Sequence, residues 1–598
     1  MAPPLSGLRV LGLSMIVSGD MATSLQADFG APRPIRSPRR RDDGEGRVYD
    51  PKVIADIARA QAAYESRVRE ILAEAGVPAA STQSGLPLKT LYTPADVRDL
   101  DYRRDLGFPG ELPFTRGVQP TGYQTKEWTR RQVVGIGTAE ETNARLRYLM
   151  SQGQTGFSVC GMGYANYDSD SEHAWGFVGR GGVWIDTLAD VETLLDGIDM
   201  RAVTVNQIGS SIPVFAMILA VAEARGIAPG ELRGTIQNWA EPGGEGPARR
   251  GNGSVDILEF CARHMPRWNS ASVSVRNTRD QGCTAPQEVA FGCFLGAYSL
   301  AAAVGRGLDV ERVAARLSFF LSAENDFLEE VAKYRAMRRL WARLVRERFG
   351  VTDPRSCALR FHVQTSAINL TRQQPLNNIV RSALHALAAA LGGAQSMSVN
   401  SFDEVLATPT RAAATLSLRT QQIIAFESGV TRVVDPLGGS FCVEALTDQI
   451  EEAAAALLGK LEALPDRDAF DFMEELTRDE AYRRQQAIDR GLVKVVGVNC
   501  FTDWPDDDAD QPRIEPLRYD PGWRDKQVGR LEEARRRRDP ARASLARARL
   551  EGAYRARENI VPPMIEAVKA YLSIGEIARA REAALGEPFH PTTWNFAR

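Results

Sequence analysis

Small polar side chains recur at every second position in a series of short runs along this chain, and that spacing is the first trace of chemistry. Ser158 alternates with Cys160, Thr204 with Asn206, and Thr235 with Gln237. Ser270, Ser272 and Ser274 follow, then Ser318, His362 with Gln364, and Ser396, Ser398 and Asn400. A period of two places such residues on one face of a strand. The residues between them are mostly apolar and can face helices. Polar positions on half-exposed strands would give the same pattern, but the outer face of a helix-covered parallel sheet must be apolar. The polar face therefore lines an interior. Ordinary barrels fill theirs with bulky branched side chains, whereas a Ser/Thr-lined lumen stays wide and hydrogen-bonding, fit for a long, thin, polar ligand.

Other reactive residue types point less far. Seven cysteines are scattered without Cys-x-x-Cys or Cys/His spacing, which argues against a zinc site or a disulfide framework, so no metal ligands are assigned. Cys160 invites a nucleophile reading, but no His aligns beside it, and a neutral thiol is the simpler account. The four arginines Arg535–Arg538 stand among Glu532, Glu533 and Asp539 and read as a solvated helix face.

The elements that must position the polar face are legible. Eight β-like runs, Arg131–Ile136, Gly156–Gly161, Ala202–Gln207, Gly234–Asn238, Ser270–Val275, Arg316–Leu321, Leu359–Thr365 and Gln395–Asn400, are separated by helical patterns. Examples are Ser211–Arg225, Pro286–Val304 and Asp326–Phe349. Strands alternating with helices in this number favour an α/β fold, a (β/α)8 TIM barrel, over an open sheet. The expected organisation is a mobile tail over 1–47, an N-terminal helix and extended arm over 48–124, the barrel over 125–425, and a mostly helical extension over 426–598. The first helix is expected over Asp50–Gly76, with Ile54, Ile57, Ala58, Ala62, Val68 and Ile71 on its apolar side. Leu86 to Gln124 reads as an arm outside the core, Leu492–Asn499 as a strand, and Pro562–Leu585 as the last helix.

At 598 residues the chain exceeds one ordinary hydrophobic core. A net charge of -3 creates no field for nucleic acid or acidic membranes, and Arg39-Arg40-Arg41 reads as part of a solvated tail. No apolar run approaches the ~20 residues of a membrane span, and Leu11–Val17 is too short for a convincing signal peptide. With its unpaired cysteines the chain is expected to be cytoplasmic.

Several segments then resemble the large subunit of the methylmalonyl-CoA mutase family, two-subunit type. They are DLGFPGELPFTRGVQPTGY (105–123), WTRRQVVGIGTAEETN (128–143), TIQN (235–238), MPRWNSASVS (265–274), RLSFF (316–320), LRFHVQTS (359–366), QSMSVNSFDE (395–404) and ESGVTRVVDPLGGS (427–440). The resemblance extends from about residue 48 to 590. It implies adenosylcobalamin as cofactor and a radical rearrangement of an acyl-CoA carbon skeleton, the cofactor carrying the hard chemistry. The family's cobalamin domain carries Asp-x-His-x-x-Gly, whose His ligates cobalt. None of the five histidines, His173, His264, His362, His385 and His590, has Asp two positions earlier. The cobalamin-binding domain is thus expected to be absent here, the cobalt ligand coming from a small cobalamin-binding subunit, with a heterotetramer as the implied assembly.

By the same resemblance, Lys126, Thr129 and Arg131 contact CoA and the acyl group, with Lys126 replacing the family's Arg and losing its planar fork. Gln237 lies near the thioester, Arg316 and Ser318 along the CoA chain, and His362 and Gln364 at the substrate. Asn400 and Glu404 match residues that hold the deoxyadenosyl ribose, and Asp280 stands where the family has a cofactor-facing Glu. The departures bear on substrate. The family's Gly-Tyr-His-Met reads Val275, Arg276, Asn277 and Thr278 here, so Asn277 replaces a His near the substrate carbonyl and cannot supply a proton. Val133 replaces the aromatic that discriminates substrates, and Cys160-Gly161-Met162-Gly163 replaces a bulkier turn. After TIQN the family's cofactor-binding Arg gives way to Trp239-Ala240-Glu241-Pro242-Gly243-Gly244, with Arg249 or Arg250 as replacements. The expected substrate is a bulkier or more polar acyl-CoA than methylmalonyl-CoA. A radical enzyme on a non-CoA substrate and an inactive scaffold of a mutase complex are the alternatives.

Overall fold

The computed structural model describes residues 48–161, 167–209, 211–238, 253–503 and 514–586. The expected tail, the turn at Met162-Gly163 and the segment Trp239–Arg250 lie outside the described residues.

Ten strands form among the described residues: β1 Thr129–Arg130, β2 Val133–Val134, β3 Gly156–Val159, β4 Thr204–Gln207, β5 Gly234–Ile236, β6 Trp268–Asn269, β7 Ala271–Ser274, β8 Leu317–Ala323, β9 Arg360–Thr365 and β10 Ser396–Ser398. Each expected β-like run holds or overlaps one of them, and the runs at 131–136 and 270–275 correspond to the split segments 129–134 and 268–274. All pairings are parallel, in two sheets ordered β1-β10-β9-β8-β7 and β2-β3-β4-β5-β6. The edge strand of one sheet runs directly into the edge strand of the other on both sides, β1 into β2 and β6 into β7. Between β1 and β2 the Arg131 amide still donates to Met397 O, while Thr155 N donates to Arg130 O and Cys160 N to Val134 O.

Helices cover the apolar face. Phe157, Val159, Val205 and Ile236 join one core, and Val273, Phe319, Leu321, Phe361, Val363 and Met397 another. Local signals set the helix starts: Thr284 with Gln287 caps Ala285–Gly305, and Asp326 caps Phe327–Phe349. Ala285–Gly305 is the one described helix long and apolar enough to cross a membrane, a length the sequence reading did not credit to any run. It is a core helix, almost wholly buried. A Cβ on its Gly292 would lie 2.5 Å from Met337 and one on Gly296 2.7 Å from Trp341, so the glycines permit close packing on Phe327–Phe349.

Several expectations need correction. The Pro51–Glu74 helix forms, but Ile54 alone of the expected apolar set is buried, and Ile71 is exposed. The arm reaches the core: Phe114 is buried, and Arg338 donates to Phe114 O and Thr115 O. Leu492–Asn499 forms no strand and gives one bridge, Val496 to Cys500, because Gly491 and Gly497 take positive φ and Asn499 folds back onto Ile488 O and Val493 O. The last helix is two, Val561–Lys569 and Ile574–Leu585, broken at Tyr571 (φ 57) before the Ser573/Glu576 capping box. The four arginines divide: Arg536 and Arg537 are solvated, whereas Arg535 reaches Asp168 and Asp170, and Arg538 pairs with Glu576.

Candidate active site

Strand register decides which side chains meet. Ser158 pairs with Asn206 and Asn206 with Thr235 across β3, β4 and β5. Ser272 pairs with Ser318, and Thr129, Ser396, His362 and Phe320 share one level across β1, β10, β9 and β8. With the apolar alternates buried under helices, these residues occupy the inner face. Ser270 departs from the expected alternation. It sits in the bend between β6 and β7, so Asn269 stands level with Thr235 and donates to its hydroxyl at 3.1 Å.

At the N-terminal ends of the strands, Arg316 is half-buried beside Arg360, and both guanidiniums are held below their usual range, chiefly by burial. Arg360 donates to Ala315 O, and neither arginine has a carboxylate partner among the described residues. Ser318 donates to Ala271 O at 3.0 Å. Thr129 is half-buried and Lys126 is exposed.

Arg131 lies midway along. It is buried, its Nε has no partner, and no described carboxylate pairs with it; burial lowers its guanidinium to about 10. Gly156 makes room for it, since a Cβ there would lie 2.5 Å from Thr204 Oγ1, 2.9 Å from Thr129 and 3.1 Å from Arg131 Nε. Val133 is half-buried in register with Ser158. His362 is buried, with Nδ1 2.8 Å from Ser396 Oγ and Nε2 unpartnered. Burial, helped by the nearby guanidiniums of Arg131 and Arg276, lowers its pKa to about 3, so the ring is neutral. Phe320 packs on it at 5.0 Å between ring centres.

The remaining candidates gather at the C-terminal strand ends. Gln364 donates to Asn400 Oδ1 at 2.6 Å, and Asn400 Nδ2 donates to Thr365 O at 2.7 Å, so that amide is held in one orientation. Asp280 accepts from Arg276 at 2.8 Å, from Ser366 at 3.1 Å and from Ser322 at 3.4 Å. Burial raises its carboxyl, while Arg276 pulls it down. Glu404 is exposed, and desolvation of its carboxyl by the surrounding atoms raises it to about 7 against the pull of Arg276. Asn277 is half-buried and accepts from Arg276. Gln237 is buried with Nε2 unpartnered. Cys160 is half-buried at the end of β3, its thiol 3.6 Å from Gly181 O.

Lys126, being exposed, has no contact among the described residues that ties it to this group. Two members were not singled out from sequence. Thr204 was read as part of the polar face, but not as a neighbour of Arg131. Arg276 was read only as part of a departure, although its parity with Ser272 and Ser274 was a usable signal. The buried, unpartnered donors at Arg131 Nε, Gln237 Nε2 and Arg276 Nε call for a ligand rich in acceptors, such as carbonyls or phosphates.

A family profile described as methylmalonyl-CoA mutase matches residues 81–587. The chain is 38% identical over 526 residues to the 2-hydroxyisobutanoyl-CoA mutase large subunit of Aquincola tertiaricarbonis, covering 84% of this chain and 92% of that one. It is 38% identical to the methylmalonyl-CoA mutase of Cereibacter sphaeroides, over 85% of this chain and 72% of that one. To the Escherichia coli methylmalonyl-CoA mutase it is 36% identical, over 86% and 72%.

Proposed function

Because this chain belongs to the methylmalonyl-CoA mutase family, and so to the isomerases, we propose that it catalyses an adenosylcobalamin-dependent rearrangement of an acyl-CoA thioester other than methylmalonyl-CoA. The cobalt ligand comes from a separate small cobalamin-binding subunit, in a heterotetramer. Three things support a separate subunit: the 38%-identical relative named a large subunit, that relative's coverage at 92%, and the lack of any Asp-x-His pair. The two sheets act as halves of one eight-stranded barrel, since each passes into the other at both edges. Residues 125–425 form this substrate domain, 48–124 its arm and 426–598 its helical extension.

The observation that carries the reading is the set of buried donors on the inner face without acceptors. A parallel strand rises about 3.3 Å per residue, so a seven-residue strand like β8 spans roughly 20 Å. That length suits a pantetheine arm, with Arg316 and Ser318 at its entry, His362 and then Arg131 midway, and Gln237 and Gln364 toward the acyl group. Arg131 holds an acceptor of the ligand with a charge that no described carboxylate neutralises. Neutral His362, braced by Ser396, contacts the ligand on the way to the acyl group without donating a proton from an imidazolium. At the mouth, Glu404 is open to accept from a ribose hydroxyl, and Asn400 and Asp280, already braced, present fixed dipoles and charge there; these residues fit the nucleoside end of adenosylcobalamin. When bound, that cofactor supplies the carbon-centred radical. The protein's residues orient the thioester beside it and exclude water. Val133 and Cys160, smaller than the family's side chains, leave space for a bulkier or more polar acyl group.

The test combines this chain, a small cobalamin-binding subunit, adenosylcobalamin and a panel of acyl-CoAs under electron paramagnetic resonance. A coupled cobalt(II)–radical signal with an ester other than methylmalonyl-CoA is expected. Clean preference for methylmalonyl-CoA overturns the substrate reading. Cofactor binding without a signal from any CoA ester favours a non-CoA substrate, and no cofactor complex favours a scaffold.

A further inference from the structure

The short helix Arg276–Asp280 carries three side chains of the site, and two ion-assisted bonds tie them in series. Arg276 Nη2 lies 2.8 Å from Asp280 Oδ2, and each side chain is 16% exposed. Arg276 Nη1 donates to Asn277 Oδ1 at 3.2 Å. A guanidinium has donors only, so it fixes which end of the Asn277 amide faces it. The carbonyl turns to Arg276 and the Nδ2 hydrogens are left for something else; no described residue takes a hydrogen bond from them. The helix is itself pinned from behind. Buried Arg279 Nη2 meets Glu330 at 3.2 Å, and its Nε lies 3.4 Å from Glu324. Ser366 and Ser322 brace Asp280 from the ends of β9 and β8.

By the family resemblance Asn277 replaces a His near the substrate carbonyl, yet a neutral amide is a modest donor. A guanidinium bonded to the amide oxygen draws charge from its nitrogen and strengthens the outgoing N–H, as hydrogen-bonded chains polarise in a medium of low dielectric constant. We propose that Asp280, Arg276 and Asn277 form a relay that holds the Asn277 amide nitrogen toward the thioester carbonyl and makes it a strong, non-titrating donor. Arg276 and Asp280 are positioning residues, and Asn277 is the group that meets the substrate. Arg276 Nε, buried and unpartnered, is a further unused donor of the same three residues. The charged or titratable groups that share the field of Arg276 are Asp280, Glu404 and His362, with Arg131 acting on the same imidazole. The relay rests on the acyl-CoA reading and goes beyond it by naming how this chain replaces a proton-donating side chain.

The experiment is difference infrared spectroscopy of the full chain with its partner subunit, using isobutyryl-CoA and 2-hydroxyisobutyryl-CoA labelled with carbon-13 at the thioester carbonyl. Binding is read separately by calorimetry, and no turnover is needed. In the wild type the carbonyl band of the bound ester shifts to lower frequency. Asn277→Ala and Arg276→Met each abolish the shift, and Arg276→Lys, which keeps charge but not the fork, retains part of it. With a turned-over ester, each single variant lowers kcat about 100-fold, as for loss of one preorganised donor. The double variant falls no further, because the two act as a unit. A bound ester with an unshifted carbonyl, a shift surviving Arg276→Met and Arg276→Lys intact, or additive losses in the double variant overturns the relay alone. A wild type that binds neither of these esters nor any other acyl-CoA of the panel overturns the proposed function and the relay with it.

Discussion

Two regions of this molecule bury guanidinium groups, and they treat them oppositely. On the helix Phe327–Phe349, Arg335 reaches Asp435 and Glu444, Arg339 reaches Asp448 and Glu451, and Arg338 donates to three backbone carbonyls. On the inner face of the sheets, Arg131 is equally buried but meets no carboxylate or carbonyl acceptor among the described residues. Burying a cation costs free energy unless it is paired, and Arg335, Arg338 and Arg339 meet that cost with acceptors of the protein, the Arg335 Nε alone among their nitrogens being left unpartnered. On the proposed function, Arg131 is left open because its partner arrives with the ligand.

The comparison breaks most sharply on stability. Arg335→Met leaves Asp435 and Glu444 buried and uncompensated and is expected to cost about 3–5 kcal/mol in denaturant unfolding. Arg131→Met removes a cation that has no partner, so stability holds or rises. Equal losses at the two sites would erase the distinction.

His362 sharpens it through pH. Its folded pKa, about 3, lies below the ordinary 6.5, burial being the main cause. The stability tied to its neutral form is present above pH 6.5 and is lost as pH falls toward 3, by on the order of 4 kcal/mol. His362→Gln should flatten that part of the acid unfolding curve. Glu404 runs the other way: its raised carboxyl favours the folded state below the ordinary carboxylate range, and that contribution fades as pH rises through about 7. Glu404→Gln should remove this neutral-range slope in a pH series of melting curves.

Gly156→Ala tests the space around Arg131. The added methyl meets Thr204, Thr129 and Arg131 at 2.5–3.1 Å. It is expected to cost about 1–3 kcal/mol of stability by overpacking, and to weaken acyl-CoA binding in calorimetry by displacing the guanidinium. The smallest effect belongs to Lys126→Ala. Its exposed side chain acts through a screened charge, so KM should rise less than about 10-fold, and the difference should shrink as salt is added.

Much of this was legible in sequence because a parallel strand under helices has one permitted pattern. The apolar alternates Phe319, Leu321, Phe361 and Val363 mark the outer face, so Ser318, His362 and Gln364 had to be inner. The pattern failed at Ser270, where the chain passes from one sheet to the other and a bend resets the parity. Arg535 and Arg538 were misjudged because local charge spacing cannot reveal acids at Asp168, Asp170 and Glu576, far away in sequence. Arg276 was overlooked for a similar reason: its importance lies in bonds to Asn277 and Asp280 that depend on how a five-residue helix turns. The extended Leu492–Asn499 run shows apolar content without the packing partners a strand requires.

Thermal melting of the wild type and Arg131→Met, each with the proposed cobalamin-binding subunit and with and without saturating acyl-CoA, decides whether Arg131 is held open for the substrate. The account predicts that the ligand-free variant melts at or above the wild-type temperature and that acyl-CoA stabilises the wild type but hardly the variant. A variant that melts lower without ligand, or keeps the full ligand-induced shift, would contradict the claim that Arg131 is held open for the substrate.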